Sequence, residues 1–263
     1  MKNISMLFAW AFCLCSIQSL ASTLLSPSDL QFVHYQADGS DQFAVVTWQD
    51  IHPGSTVNFT DSGVRADQTF RDTEGKVSWN ITHYIEAGTV VSFDLGLSHV
   101  SSGTLTVQSR ISLSSSGDQL FAFKNDIDSA AIIAGIQMNN QGWDADATSS
   151  NTSALPTSLS ISQAYTQFNR EWDNAIYQGP TSALLLETLK SNISNADFWQ
   201  SSNTILNAAL PQRFDWQPTT IKTSLISLPN SFILSVLGLI IMLFLMYHRG
   251  GRCSPLTWTN HSF

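Results

Sequence analysis

Closely spaced aspartates and isolated tryptophans are the residues of this chain best suited to chemistry. Asp38-Gly-Ser-Asp41, Asp126-Ile-Asp128 and Asp144-Ala-Asp146 each set two carboxylates a few positions apart. Calcium takes six to eight oxygen ligands, and loops of this kind supply some of them. Asp144 and Asp146 are therefore the candidate metal ligands, and calcium is the one cofactor the pattern allows. None of the pairs matches the spacing of an EF-hand loop. The competing reading is a turn whose Asp side chains accept from nearby backbone N–H groups, and Asp118 in Ser-Ser-Ser-Gly-Asp-Gln fits that role. Exposed indoles stack on sugar rings, and large apolar patches mark binding sites. Trp143, in Gly142-Trp143-Asp144, and Trp172 are the candidate ligand-binding residues, with packing as the competing role. Trp48 and Trp79 alternate within strands and belong to a core.

No HExxH, Walker loop, GxGxxG, CxxC or GxSxG occurs. The cysteines are Cys13, Cys15 and Cys253, so the long central stretch has no thiol and cysteine catalysis is excluded there. A serine hydrolase would need His34, His52, His83 or His99 as base. Each sits in or beside a strand or turn without an accompanying acid motif, and each reads as a solvated surface histidine. An enzyme working through Asp or Glu, acting on polysaccharide or ester, is the alternative to a binding role. A structural envelope or matrix protein is a further one.

The elements that must position these residues are short strands. Leu30–Tyr35, Phe43–Trp48, Thr56–Thr60, Val77–Ile81, Val90–Leu95, Leu105–Gln108, Gln119–Phe123 and Ala131–Ile136 are rich in β-branched and aromatic residues. Turn chemistry separates them at Asp38-Gly39, Pro53-Gly54, Ser62-Gly63 and Ser116-Gly117. Strands at this density without intervening helices predict an all-β fold, a β-sandwich of Ig-like or jelly-roll-like kind. Ile51-His-Pro-Gly54-Ser-Thr-Val-Asn-Phe59 matches Ile85-Glu-Ala-Gly88-Thr-Val-Val-Ser-Phe93 at an offset of 34 and predicts two equivalent corners of one sandwich. The second half is less regular. Asn139 to Ser160 reads as a long surface loop. Glu171–Tyr177 returns to a sheet and ends at Gly179-Pro180. Thr181–Lys190 reads as a helix with a Thr or Ser cap, Asn195–Ser201 as a further helical turn, and Phe214–Trp216 as an edge strand or packing plug.

The ends are apolar. Lys2 followed by the run Ile4–Leu20, with small residues at Ser19 and Ala21, predicts a signal peptide over 1–21. Ser231–Tyr247 carries no charge and is long enough for a helix of roughly 25 Å, a transmembrane span at the short limit. His248, Arg249 and Arg252 favour a cytoplasmic tail over 248–263. The chain thus divides into an exported ectodomain over 22–217, a linker over 218–230, the span over 231–247 and the tail. All twenty acidic residues but only nine of the twelve Lys and Arg lie between Ser22 and Ser227, a net charge of −11. That balance disfavours nucleic acid as a partner, and it suits a soluble body facing basic partners or none.

Leu228-Pro229-Asn230-Ser231, the apolar span and His248-Arg249 resemble, in degenerate form, the bacterial PEP-CTERM-type sorting signals. That resemblance implies processing by an exosortase-like enzyme. Phe59-Thr-Asp-Ser-Gly63, Leu113–Phe123, Ala134–Met138 and Asp173–Tyr177 resemble a β-rich domain of exported bacterial proteins, which has no assigned activity. Together these readings predict a module tethered to the membrane in the cell envelope, with the ectodomain periplasmic or extracellular, recognising a protein or a glycan through its loops.

Overall fold

Alternating apolar positions in the first half become strands almost residue for residue. The computed structural model describes residues 22–71, 73–124, 132–139 and 142–218. The expected signal peptide, the 231–247 span, the tail and the Asp126–Asp128 pair lie outside the described residues. Among the described residues no helix is long and apolar enough to cross a membrane. The strands are β1 (Leu30–Gln36), β2 (Gln42–Thr47), β3 (Thr56–Thr60), β4 (Lys76–Asn80), β5 (Val90–Asp94), β6 (His99–Val100), β7 (Thr104–Ser109), β8 (Gln119–Phe123) and β9 (Ile132–Gln137). After them come α1 (Thr157–Ser162), β10 (Tyr165–Gln167), β11 (Asn174–Tyr177), β12 (Ser182–Leu185), α2 (Leu186–Ser194), β13 (Trp199–Ser202) and β14 (Asp215–Gln217), with a 3-10 turn at Ala196–Phe198.

These strands form two six-stranded sheets among the described residues, in the orders β13-β11-β1-β2-β5-β6 and β10-β9-β8-β3-β4-β7, and a two-stranded pair β12-β14. The fold is all-β with few helices. Aromatic rings bind the two large sheets face to face. Phe59 of β3 lies 4.8 Å from Phe43 of β2 and 5.0 Å from Phe93 of β5, ring centre to ring centre. Trp79 of β4 meets Phe93 edge-on at 5.5 Å. Phe43 and Phe93, paired across β2 and β5, stack at 4.5 Å. All these side chains are fully buried, and each contributes about 1.5–3 kcal/mol by leaving water. A body of this size holds its sheets together by that burial without a disulfide.

Three expectations need correction. The proposed helix over 181–190 starts later, at Leu186, and Leu185 precedes it without a side-chain cap. Ser182–Leu185 instead pairs in parallel with Asp215–Gln217, so strand pairing overrides the helix-forming preference of Ala183, Leu184 and Leu185. The loop expected over 139–160 gives way near its end to α1, which begins at Thr157 after Pro156. Pro156 is the N-cap, with φ −59 and ψ 135 and no side-chain cap hydrogen bond. Leu159 is the buried anchor of that helix, and contact with a neighbouring sheet stabilises a segment this short where sequence propensity alone does not. His34, expected on the surface, is buried in β1, a central strand flanked by β11 and β2. Burial lowers its pKa to about 4, so it is neutral at ordinary pH.

Candidate functional site

Trp172 lines a cleft of about 630 Å³ that is polar in character. Its walls come from two segments that the fold draws together. Gln167, Phe168 and Asn169 leave the end of β10, the edge of one large sheet, and Trp172 follows them. Ser194, Asn195 and Asp197 connect α2 to β13, the edge of the other, and Trp199 and Ser201 belong to β13 itself. The groove therefore opens along the side of the sandwich where these two edges meet. Its frame is fixed by hydrogen bonds. Trp199 Nε1 donates to Ile193 O at 2.8 Å. Ser194 Oγ donates to Gln163 O at 2.8 Å and accepts from Gln31 Nε2 at 3.0 Å. Asn195 Oδ1 accepts from the Asp197 backbone N–H at 3.0 Å. The Trp172 N–H is tied to Met138 O.

The groups facing the cleft are not used in this way. Gln167, Asn169 and Asp197 are exposed, and their side chains make no hydrogen bond among the described residues. The Arg170 guanidinium sits over the Trp172 indole at 4.4 Å from the ring centre, a cation–π contact that holds the half-buried ring in one orientation. The groove thus offers an ordered aromatic surface with primary amides, a hydroxyl and a carboxylate around it, on rigid supports.

The other sequence candidates lie apart from this arrangement. Trp143 packs into a satellite core, stacked on Phe121 at 5.6 Å and edge-on to Tyr165 at 6.0 Å. Its neighbour Gly142, with φ +70, lines the groove. Asp144 and Asp146 frame that satellite. The Asp144 backbone N–H donates to Ser153 O at 2.8 Å, and Asp146 Oδ1 accepts from the Ala66 N–H at 2.8 Å. Among the described residues no three His, Cys, Asp or Glu side chains gather as a metal site.

Two constellations escaped sequence reading. The first is a buried acidic cluster. Asp61 accepts from the Gly75 and Ser112 N–H groups at 2.6 and 3.0 Å, and Asp118 from the Ser114 and Gln119 N–H groups at 2.9 and 2.8 Å. The turn role expected of Asp118 holds, but in the interior: burial pushes both carboxyls up, Asp118 well above its ordinary range. Glu74 is pushed up to about 7, first by burial and then by the charge of Asp61, with Arg71 pulling the other way. Asp118 is held by N–H groups of its own turn, whereas Asp61 draws on N–H groups 14 and 51 residues away, which no local pattern announces. The second is a Ser–His contact. Ser102 Oγ lies 2.8 Å from His83 Nε2, and Thr82 Oγ1 lies 3.2 Å from His83 Nδ1. The loop is held by Trp79 Nε1 donating to Ser102 O at 2.7 Å. A hydroxyl occupies the place where a carboxylate would orient the imidazole, and the contact is solvent-exposed.

The fold and site together define an all-β, two-sheet body with a polar, tryptophan-bearing side groove. No protein-family model, no curated protein and no solved structure matches the chain. The functional reading rests on the geometry.

Proposed function

We propose that the chain is an extracytoplasmic recognition module of the cell envelope. In this reading residues 1–21 export it, residues 231–247 tether it to the membrane, and an Ig-like or jelly-roll-like sandwich presents a binding site for a protein or glycan. The observation that carries the reading is the groove at Trp172: an oriented indole beside the amides of Gln167 and Asn169 and the carboxylate of Asp197, whose side chains make no hydrogen bond among the described residues. Polar groups left unused on rigid supports are a standing supply of hydrogen bonds for a ligand, and pockets of about 300–1,000 Å³ suit small ligands or chain segments. Screening the full-length chain against glycan and peptide arrays tests this. Binding that is lost in Asn169→Ala and Asp197→Ala supports it. Binding unaffected by both variants would place the site elsewhere.

A second reading, a hydrolase working through carboxyl groups, is favoured by one pair. Glu171 and Asp173 contact each other, and Asp173 is pushed up to about 6 by burial, by the hydrogen bond with Glu171 and by nearby Asp38. Two carboxyls sharing a proton are a known acid–base device. Against it, Asp173 is buried and lies outside the lining of the groove. Turnover in a hydrolase screen that Glu171→Gln abolishes would reverse the order of the two readings.

A further inference from the structure

We infer that the groove takes a neutral glycan: an uncharged pyranose segment with one ring on the Trp172 indole and its hydroxyls on Gln167, Asn169 and Asp197. This rests on the recognition reading above and names its ligand class.

Four features carry it. First, the free groups match sugar hydroxyls. A primary amide offers a donor and an acceptor side by side, as two adjacent hydroxyls require, and Asp197 accepts from hydroxyl donors with charge-assisted strength. Second, Asp197 is the one charged side chain of the lining, and the nearby Arg170 cation is already engaged over the Trp172 ring. The ectodomain around it is strongly acidic. Uronates, sulfates and phosphates meet repulsion there, whereas uncharged sugars do not. Third, Arg170 covers one face of the Trp172 indole, and the part of the ring that lines the cleft gives the C–H face of a pyranose an apolar partner among polar groups. Fourth, the cleft is a poor seat for a protein. Protein interfaces center on buried apolar or aromatic anchors over roughly 800 Å² per partner. Here the second tryptophan, Trp199, is nine-tenths buried and spends its N–H on Ile193 O, leaving one aromatic surface among polar groups.

The test is calorimetric titration of the full-length chain, in a zwitterionic detergent free of sugar. The probes are neutral hexasaccharides (β-1,4-glucan, α-1,4-glucan, β-1,4-mannan and β-1,4-xylan) and, beside them, an oligogalacturonate hexamer and a mixed peptide library. The proposal expects at least one neutral hexamer to bind at up to about 10 mM. It expects Trp172→Ala to weaken that binding at least tenfold and Asn169→Ala several-fold. Asn169 is exposed and bonded to nothing described, so its variant folds even if removal of Trp172 disturbs the core. Binding of the acidic hexamer or of peptides that Asn169→Ala weakens, with no neutral hexamer bound, overturns the neutral-glycan inference and leaves the recognition groove standing. Neutral binding insensitive to both variants overturns the inference as well. No probe sensitive to Asn169→Ala overturns both.

Discussion

Ile51 and Ile85 exchange both of their backbone hydrogen bonds, at 2.8 and 2.9 Å. They are equivalent residues of the two segments repeated at an offset of 34, and the equivalence runs on from there. Ser55 Oγ donates to His52 O and Thr89 Oγ1 donates to Glu86 O, at 2.7 and 2.6 Å. Gly54 and Gly88 both take a positive φ, +87 and +86. The first corner carries the chain from β2 to β3, out of one large sheet into the other, and the second carries it back from β4 to β5. Phe59 and Phe93 then meet at the centre of the core. The two corners lock onto each other through the isoleucine pair, and that lock fixes how the sheets face.

The two corner glycines should nevertheless respond differently to a side chain. A Cβ at Gly54 has nothing within 4 Å, whereas one at Gly88 falls 2.1 Å from Phe214 O. Gly54→Ala should cost only the strain of a left-handed residue, about 1–2 kcal/mol. Gly88→Ala adds a collision with backbone and should cost several kcal/mol more, on the order of the largest single-site effects. Urea unfolding of both variants checks this, and equal losses would deny the close approach of Phe214.

Stability should fall as pH rises through neutrality, because of Glu74. Its folded pKa of about 7 lies above the ordinary 4.5, so the native state holds a proton that the unfolded chain releases earlier. The contribution is complete below about 4.5 and is lost as pH climbs through 7. Burial of Asp61 and Asp118 works in the same direction. Glu74→Gln should flatten the decline between pH 5 and 8 and leave the variant the more stable protein at pH 8, by up to about 3 kcal/mol. A wild-type urea midpoint unchanged over that range would contradict the assignment.

Trp143 and Trp172 should separate in function. Trp143 buries an indole N–H with no hydrogen-bond partner among the described residues, so Trp143→Phe removes an unsatisfied donor while keeping the ring on Phe121. It should change stability by no more than about 1 kcal/mol and leave ligand binding unaltered. Trp143→Ala should cost about 3–5 kcal/mol through the cavity it leaves. A Trp143→Phe variant that folds normally but binds weakly would move the site toward the Asp144 loop.

Ser102 should not behave as an activated nucleophile. Its contact with His83 has hydrogen-bond length, but Thr82 in place of an acid gives the imidazolium no charge to stabilise it. A fluorophosphonate probe should leave Ser102 unlabelled, and Ser102→Ala should bind ligand as the parent does. Labelling that Ser102→Ala and His83→Ala both abolish would establish acyl-transfer chemistry on this loop.

The first half of the fold was legible because its signals are local. Alternation in Phe43-Ala-Val-Val-Thr and Gln-Leu-Phe-Ala-Phe123, and turn glycines with positive φ such as Gly39, Gly54 and Gly117, mark strands and bends from the sequence alone. The second half depends on contacts made at a distance. Ser182–Leu185 is a strand only because Asp215–Gln217 lies beside it, and β10 only because it adds in parallel to β9. The same holds for the site. Trp172 stood out as a residue type, but Gln167, Asn169 and Asp197 carry no spacing signal; they become neighbours through the edges of two sheets. His34 looked like any surface histidine until β1 proved central.

Hydrogen exchange of the full-length chain, with and without a saturating ligand from the array screen, tests the central claim most directly. The account predicts that slowed exchange concentrates in 167–172 and 194–201, the two segments that form the groove, while the 82–84 and 101–103 loops are unchanged. Protection confined to the Ser102–His83 end, or to the 144–154 loop, with the groove segments unaffected, would contradict it.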